Sequence, residues 1–143
     1  MDEAFVVRGL IALSCKGAHV LVHAAEKKAA AIGVPECIAV VDAAGELLAF
    51  SRMDGARPGS VEIALTKARS AARRRRPTAD EAGGDVLAST RLALAAQMHV
   101  TGIGGGLPVL IDGQVIAGIG VSSGTSDEDV AVAQAGIDAL LAG

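Results

Sequence analysis

The chain has 143 residues, a formal net charge of −3, 51% hydrophobic residues, two Phe and neither Tyr nor Trp. That length suits a single domain over residues 1–143 with a core of Val, Leu, Ile and Ala. The shortage of aromatics excludes a base-stacking nucleic-acid platform, and the mild acidity implies solubility and little else.

The region Glu3 to Ile32 is alanine-rich and lacks proline. Val6, Leu10, Leu13, Gly17, Val20, Leu21 and Ala24 recur at helical spacing and predict one long helix. Val7, Ile11, Ala18 and Val22 widen its apolar face. A helix apolar on more than one stripe wants a second partner, which points to a homo-oligomer. Gly33 ends the helix and Pro35 forbids its continuation.

Cys37 to Val41 and Leu47 to Met53 read as a hairpin around the turn Asp42 to Glu46. Ser60 can cap a helix from Val61 to about Arg76, and Pro77 stops it. Thr78 opens a short segment that Gly83 and Gly84 weaken as a helix. The stretch Leu92 to Met98 fits neither element.

A second hairpin turns at Asp112-Gly113, and Pro108 puts its first strand at an edge or a bulge. Thr125 and Glu128 form a capping box for a last helix, with Asp127, Glu128 and Asp129 in its first turn. Val130, Ala133, Ile137, Leu140 and Leu141 are its predicted buried face. Two hairpins far apart in sequence predict one antiparallel sheet flanked by helices, an α+β layer fold.

Asp2 and Glu3 stand where a secretory signal would be basic, and no run of transmembrane length is free of charge. Cys15 and Cys37 have no framework spacing and read as free thiols in a reducing compartment. The chain is therefore expected to be cytoplasmic, with no membrane or nucleic-acid partner. The run Arg73 to Arg76 is either an anion patch or a solvated helix end.

Three places could carry chemistry. His19 and His23 are four apart on the first predicted helix, with Cys15 one turn earlier. That spacing can hold a transition metal or offer an imidazole to haem iron, or it is simply a polar helix face. Arg52, Asp54 and Lys67 combine two cations with a carboxylate beside a flexible glycine. Arg52 and Lys67 could bind a substrate carboxylate while Asp54, or His99, moves a proton; Lys67 could assist as a second catalytic group. The alternative is an internal salt bridge of Asp54 with Arg52 or Lys67. Lys67 falls on the sheet-facing side of its helix, so it must be paired or bind an anion.

The third place is glycine-rich. Gly118, Gly120 and Gly124 let a neighbouring helix, the final one, or a ligand approach the sheet backbone. Amides at Gly124, Thr125 and Ser126 can hold an anion at a helix N-terminus. Gly104, Gly105 and Gly106 form a loop of the kind that lines binding sites.

The segments "GVP" (Gly33 to Pro35), "AVVDAAGELLAFSRMDGA" (Ala39 to Ala56) and "SVEIALTKARSA" (Ser60 to Ala71) come in a specific order. "RPT" (Arg76 to Thr78), "GGLPVLIDGQVIAGIGVSSGT" (Gly105 to Thr125) and "DEDVAVA" (Asp127 to Ala133) follow. In that order they resemble the GlcG/HbpS family, which includes the C-terminal domain of PduO-type proteins. The resemblance implies a profilin-like or roadblock-like antiparallel sheet flanked by helices, and a homo-oligomer, a ring or an octamer. It implies a small-ligand-binding protein with haem as the named candidate, and His19 or His23, or else His99, as candidate iron ligands. Other family members sit near genes of small-molecule catabolism. That leaves open a cofactor-independent isomerase, lyase or hydrolase acting on a small carboxylated catabolite through the Arg52, Asp54 and Lys67 pocket.

Overall fold

The computed structural model describes residues 1–81 and 84–143. An antiparallel sheet is built from β1 (Cys37–Asp42), β2 (Leu47–Arg52), β3 (Gly106–Ile111) and β4 (Gln114–Ser122). Its strand order is β2-β1-β4-β3, so the two hairpins join through β1 and β4. The helices α1 (Cys15–Ile32) and α4 (Ser126–Ala142) cover one face, and α2 (Ser60–Arg74) covers the other. This is the α+β arrangement expected from two distant hairpins.

Alternation along the central strands divides the core. Ile38 and Val40 of β1 and Ile119 and Val121 of β4 point to α1 and α4. Cys37, Ala39 and Val41 point to α2 and meet Ala64, Ala68 and Ala72. Covered on both faces, β1 reads as an unbroken apolar run.

On the α2 side, β4 offers Gly118 and Gly120 beneath the helix. A Cβ at Gly118 would strike the Ala68 carbonyl, and one at Gly120 would strike the Ala64 carbonyl and the Ala68 amide. The glycines therefore let a helix lie on the strand backbone. That helix is α2, not the final helix as the sequence order suggests.

The turns hold as read. Asp112 (φ 50°) and Gly113 (φ 75°) are both left-handed, the pattern of a tight two-residue hairpin turn. Pro108 lies in β3, an edge strand, with a bulge between Val109 and Leu110. Gly33 ends α1 at φ 72°. The Thr125 and Glu128 capping box starts α4.

Four expectations are corrected. The first helix does not run from Glu3. Ser14 caps α1 by accepting from the Gly17 amide, only a 3-10 turn forms at Glu3–Phe5, and Gly9 is left-handed at φ 74°. Ser14 outcompetes the apolar period because its side chain satisfies an amide that a longer helix would leave to the backbone. The buried face of α1 is Ala18, Leu21, Val22, Ala25 and Ala29, and Val20 is on the surface.

Ser60 does not cap α2. It is the first helical residue and is buried, Gly59 holds the cap position, and the helix stops at Arg74 with Arg75 left-handed. The segment after Thr78 divides into a 3-10 stretch (Thr78–Gly84) and α3 (Val86–Ala95), capped by Asp85 on the Ala88 amide. The weakening assigned to Gly83 lies outside the described residues. In α4 the buried apolar positions are Val132, Ala133 and Ile137, whereas Leu141 is exposed.

Replacing Gly120 by Ala should force α2 off the sheet. The expected loss is at least the ~1–3 kcal/mol typical of overpacked cores, read as a lower urea midpoint at unchanged slope. A midpoint equal to that of the parent would show that α2 gives way without cost.

Candidate functional site

One stripe of α1 carries Lys16, His19, Val20, His23 and Lys27, all at the surface. These positions recur at three- and four-residue steps, so the side chains line up along the helix. His19 Nδ1 lies 2.9 Å from the Cys15 carbonyl oxygen. A carbonyl only accepts, so Nδ1 donates in this contact, and in a neutral ring Nε2 is then the nitrogen without a hydrogen. The His23 ring lies 6.1 Å from the His19 ring, tilted by 54°. Cys15 Sγ stands 3.6 Å from His19 Nδ1. Among the described residues, no group of three or more His, Cys, Asp or Glu is placed to hold a bare metal ion.

The Arg52, Asp54 and Lys67 pocket does not assemble. Arg52 and Asp54 are exposed and line a shallow cleft with Glu26 and Lys27 of α1. Lys67 is 1% exposed; its ammonium donates to the Val121 carbonyl at 2.8 Å and to Asp129 Oδ2 at 2.9 Å. The expected need for a partner is met, but by Asp129 rather than Asp54. Lys67 sits on the sheet-facing side of α2, as its position among Ala64, Ala68 and Ala71 requires, and so cannot reach the β2 end.

Sequence reasoning missed Glu36, the residue before β1. It is fully buried, and its Oε1 has no hydrogen-bond partner. The Gly124 amide donates at 3.0 Å to both Glu36 Oε2 and Asp129 Oδ1, so two carboxyl groups meet at one N–H. Lys67 neutralises one negative charge. Burial, with Asp129 alongside, pushes the Glu36 carboxyl up to about 8, against the pull of the Gly124 amide and Lys67. Lys67 on the inner face of α2 was the one signal that a buried acid existed. Nothing in the local sequence marked Glu36 as its neighbour.

The glycine-rich places are filled from within. The Gly124 amide is taken by Glu36 and Asp129, and the Thr125 amide by Glu128 at 2.9 Å. An external anion there would displace the chain's own carboxylates. Gly105 and Gly106 are buried against Lys67, and the Gly106 amide donates to Thr78 Oγ1 at 3.0 Å. Their lack of side chains makes room for Lys67 and Thr78 rather than for a ligand.

Three of the four arginines in the run Arg73 to Arg76 are held within the fold. Arg73 Nε donates to the Ala44 carbonyl at 2.7 Å, closing the β1–β2 turn onto α2, and Arg74 and Arg76 converge on Glu81. His99 is exposed and turns Nδ1 to Arg73 at 3.3 Å.

An open groove of about 640 Å³ runs between α2, α3 and residues 100–103, on the far side of the sheet from α1. Ile63, Val86, Leu94, Met98, Val100 and Ile103 give it apolar walls. Glu62, Glu81 and Asp85 supply carboxylates, and among the described residues its lining holds no lysine or arginine.

Two measurements follow from the buried acid pair. The folded Glu36 value of about 8 lies above its ordinary 4.5, so the folded chain holds a proton that the unfolded chain releases. That contribution is complete below about pH 4.5 and is lost as pH rises towards 8, with a slope of at most ~1.4 kcal/mol per pH unit. Glu36→Gln should flatten the fall and raise the urea midpoint at pH 8; parallel curves for the two proteins would show that Glu36 ionises normally. Lys67→Met should cost ~3–5 kcal/mol by leaving Asp129 buried and unpaired, and a shift below 1 kcal/mol in the same assay would rule that out.

With the geometry in place, comparison with known proteins is direct. The family model "Haem degrading protein HbpS-like" matches residues 13–138. Protein GlcG of Escherichia coli is 37% identical over 112 residues, covering 78% of this chain and 82% of that protein. The crystal structure of Klebsiella pneumoniae protein ORFY superposes with a TM-score of 0.86 at 34% identity, covering 99% of this chain and 97% of that one. The crystal structure of a PduOC:heme complex gives 0.82 at 33% identity, covering 90% and 95%. These matches span nearly the whole fold, and the chain belongs to the HbpS-like family.

Proposed function

We propose that this chain is a haem-binding protein and that His19 supplies an iron ligand. The observation that carries the residue assignment is the bond from His19 Nδ1 to the Cys15 carbonyl. It fixes the ring against the helix and, in the neutral ring, leaves Nε2 as the base, the form an iron ligand requires. Kinship with a haem complex of the same fold at 33% identity supports the choice of ligand.

The residues present fit the group. Val20 gives the stripe an apolar spot beside the imidazoles. Lys16 and Lys27 stand at either end, where ammonium groups would meet propionates. His23 lies one turn further and could serve as a second nitrogen ligand. Iron would supply the ligand-binding and redox chemistry; this chain holds the imidazole in one tautomer and orients it.

The proposal includes a cytoplasmic setting, consistent with two free cysteines, and self-association. Among the described residues, no helix is long and apolar enough to cross a membrane. An apolar leader and groove that a single copy leaves exposed favour the assembly. The enzyme reading receives no support, because Lys67 is locked to Asp129 away from Arg52 and Asp54.

Titrating the purified protein with haem should give a saturable, sharpened Soret band at micromolar haem. His19→Ala should weaken binding at least roughly tenfold, the loss of ~1.4 kcal/mol or more. Arg52→Ala should leave the titration unchanged. A broad, unsaturable signal in the parent protein would refute haem binding, and a His19→Ala curve identical to the parent would move the ligand to His23 or elsewhere.

A further inference from the structure

The first fourteen residues leave a large apolar surface uncovered. Phe5 is 77% exposed, Val7 78% and Leu10 75%. Isolated apolar side chains on a surface are ordinary, but several together in one short extended segment mark an interaction site.

This leader is not loose at its root. The side-chain amide of Gln114 donates to the Gly9 carbonyl at 2.9 Å and accepts from the Ile11 amide at 3.1 Å. One glutamine thus treats residues 9–11 as a neighbouring strand would. Leu13 packs against the core shared by α1 and α4. The segment ahead of that anchor carries its apolar side chains outward, with one cation, Arg8, whose partner is the exposed Glu3 at 2.9 Å.

The groove between α2 and α3 has the opposite requirements. Its walls are apolar; of its carboxylates, Glu81 is already held by Arg74 and Arg76 and Asp85 caps α3, whereas Glu62 has no ion-pair partner among the described residues. An apolar segment bearing one guanidinium matches the apolar walls and the Glu62 carboxylate. The groove also lies on the α2 side of the sheet, whereas the leader is rooted on the α1 and α4 side. The groove that receives a leader therefore belongs to another copy.

We propose that the segment ahead of the Gln114 anchor, residues 4–8, together with the outward side chain of Leu10, lies in the α2–α3 groove of a second copy, with Arg8 against the carboxylates of Glu62 and Asp85. This rests on the self-association proposed above and assigns the contact that produces it. Arg8 exchanges an exposed partner for carboxylates at an apolar surface, where less water competes for the pair. Phe5, Val7 and Leu10 gain the burial that a single copy denies them.

The test is disulfide trapping in the full chain. In a Cys15→Ser background, a copy with Leu10→Cys is co-expressed with a differently tagged copy carrying Leu94→Cys. The control pairs Leu10→Cys with Asp138→Cys on exposed α4. Docking should give the Leu10–Leu94 heterodisulfide roughly tenfold or more faster than the control, because apposed thiols share a high effective concentration. Arg8→Glu should slow it, with circular dichroism confirming that each variant folds.

Light scattering on the parent separates the two claims. An assembled parent with no excess of the Leu10–Leu94 disulfide overturns the docking and leaves self-association standing. A monomeric parent overturns both.

Discussion

The fold is fastened by one ammonium group. Lys67 extends from the helix on one face of the sheet to the Val121 carbonyl of β4 and the carboxylate of Asp129 in the helix on the other face. Asp129 shares the Gly124 amide with Glu36, which leads into β1. A single cation therefore ties α2, β4, the start of α4 and the entry of β1. Burying three ionisable groups is expensive, and it is tolerable here only because each charge has a partner or keeps its proton. The close approach of α2 depends in turn on Gly118 and Gly120, and room for the ammonium end depends on Gly105.

The proposed haem stripe lies outside this knot. It occupies an exposed helix face, while the costly buried charges serve architecture. That separation explains why the most perturbed acid in the chain, Glu36, is remote from the exposed histidines. A strongly shifted group often marks an active site. In this fold it marks the junction of two hairpins and two helices.

Much of the architecture was legible in the sequence because each signal acted locally. Asp112-Gly113 dictates its own turn, Gly33-Val34-Pro35 its own stop, and Thr125 with Glu128 its own cap. Signals that required long-range knowledge failed. The leader shows a helical period, yet Ser14 claims the N-cap and the period before it goes unused. Arg52, Asp54 and Lys67 are close in sequence, but the helix turns Lys67 towards the sheet while β2 ends elsewhere. Glu36 was invisible because its partners, Asp129 and Gly124, are about ninety residues away. The histidine spacing was readable at once; the bond that selects its tautomer was not.

The β3 edge has a consequence for how copies can join. Pro108 offers no N–H to an incoming strand, and the bulge at Val109 and Leu110 bends the ladder beside it. A further strand added along this edge would meet a gap in hydrogen bonding, so the sheet has little tendency to grow into a continuous fibril there. Contacts between copies at this edge are left to side chains, whose strength depends on ionic strength and apolar area and which can be broken and remade without unfolding.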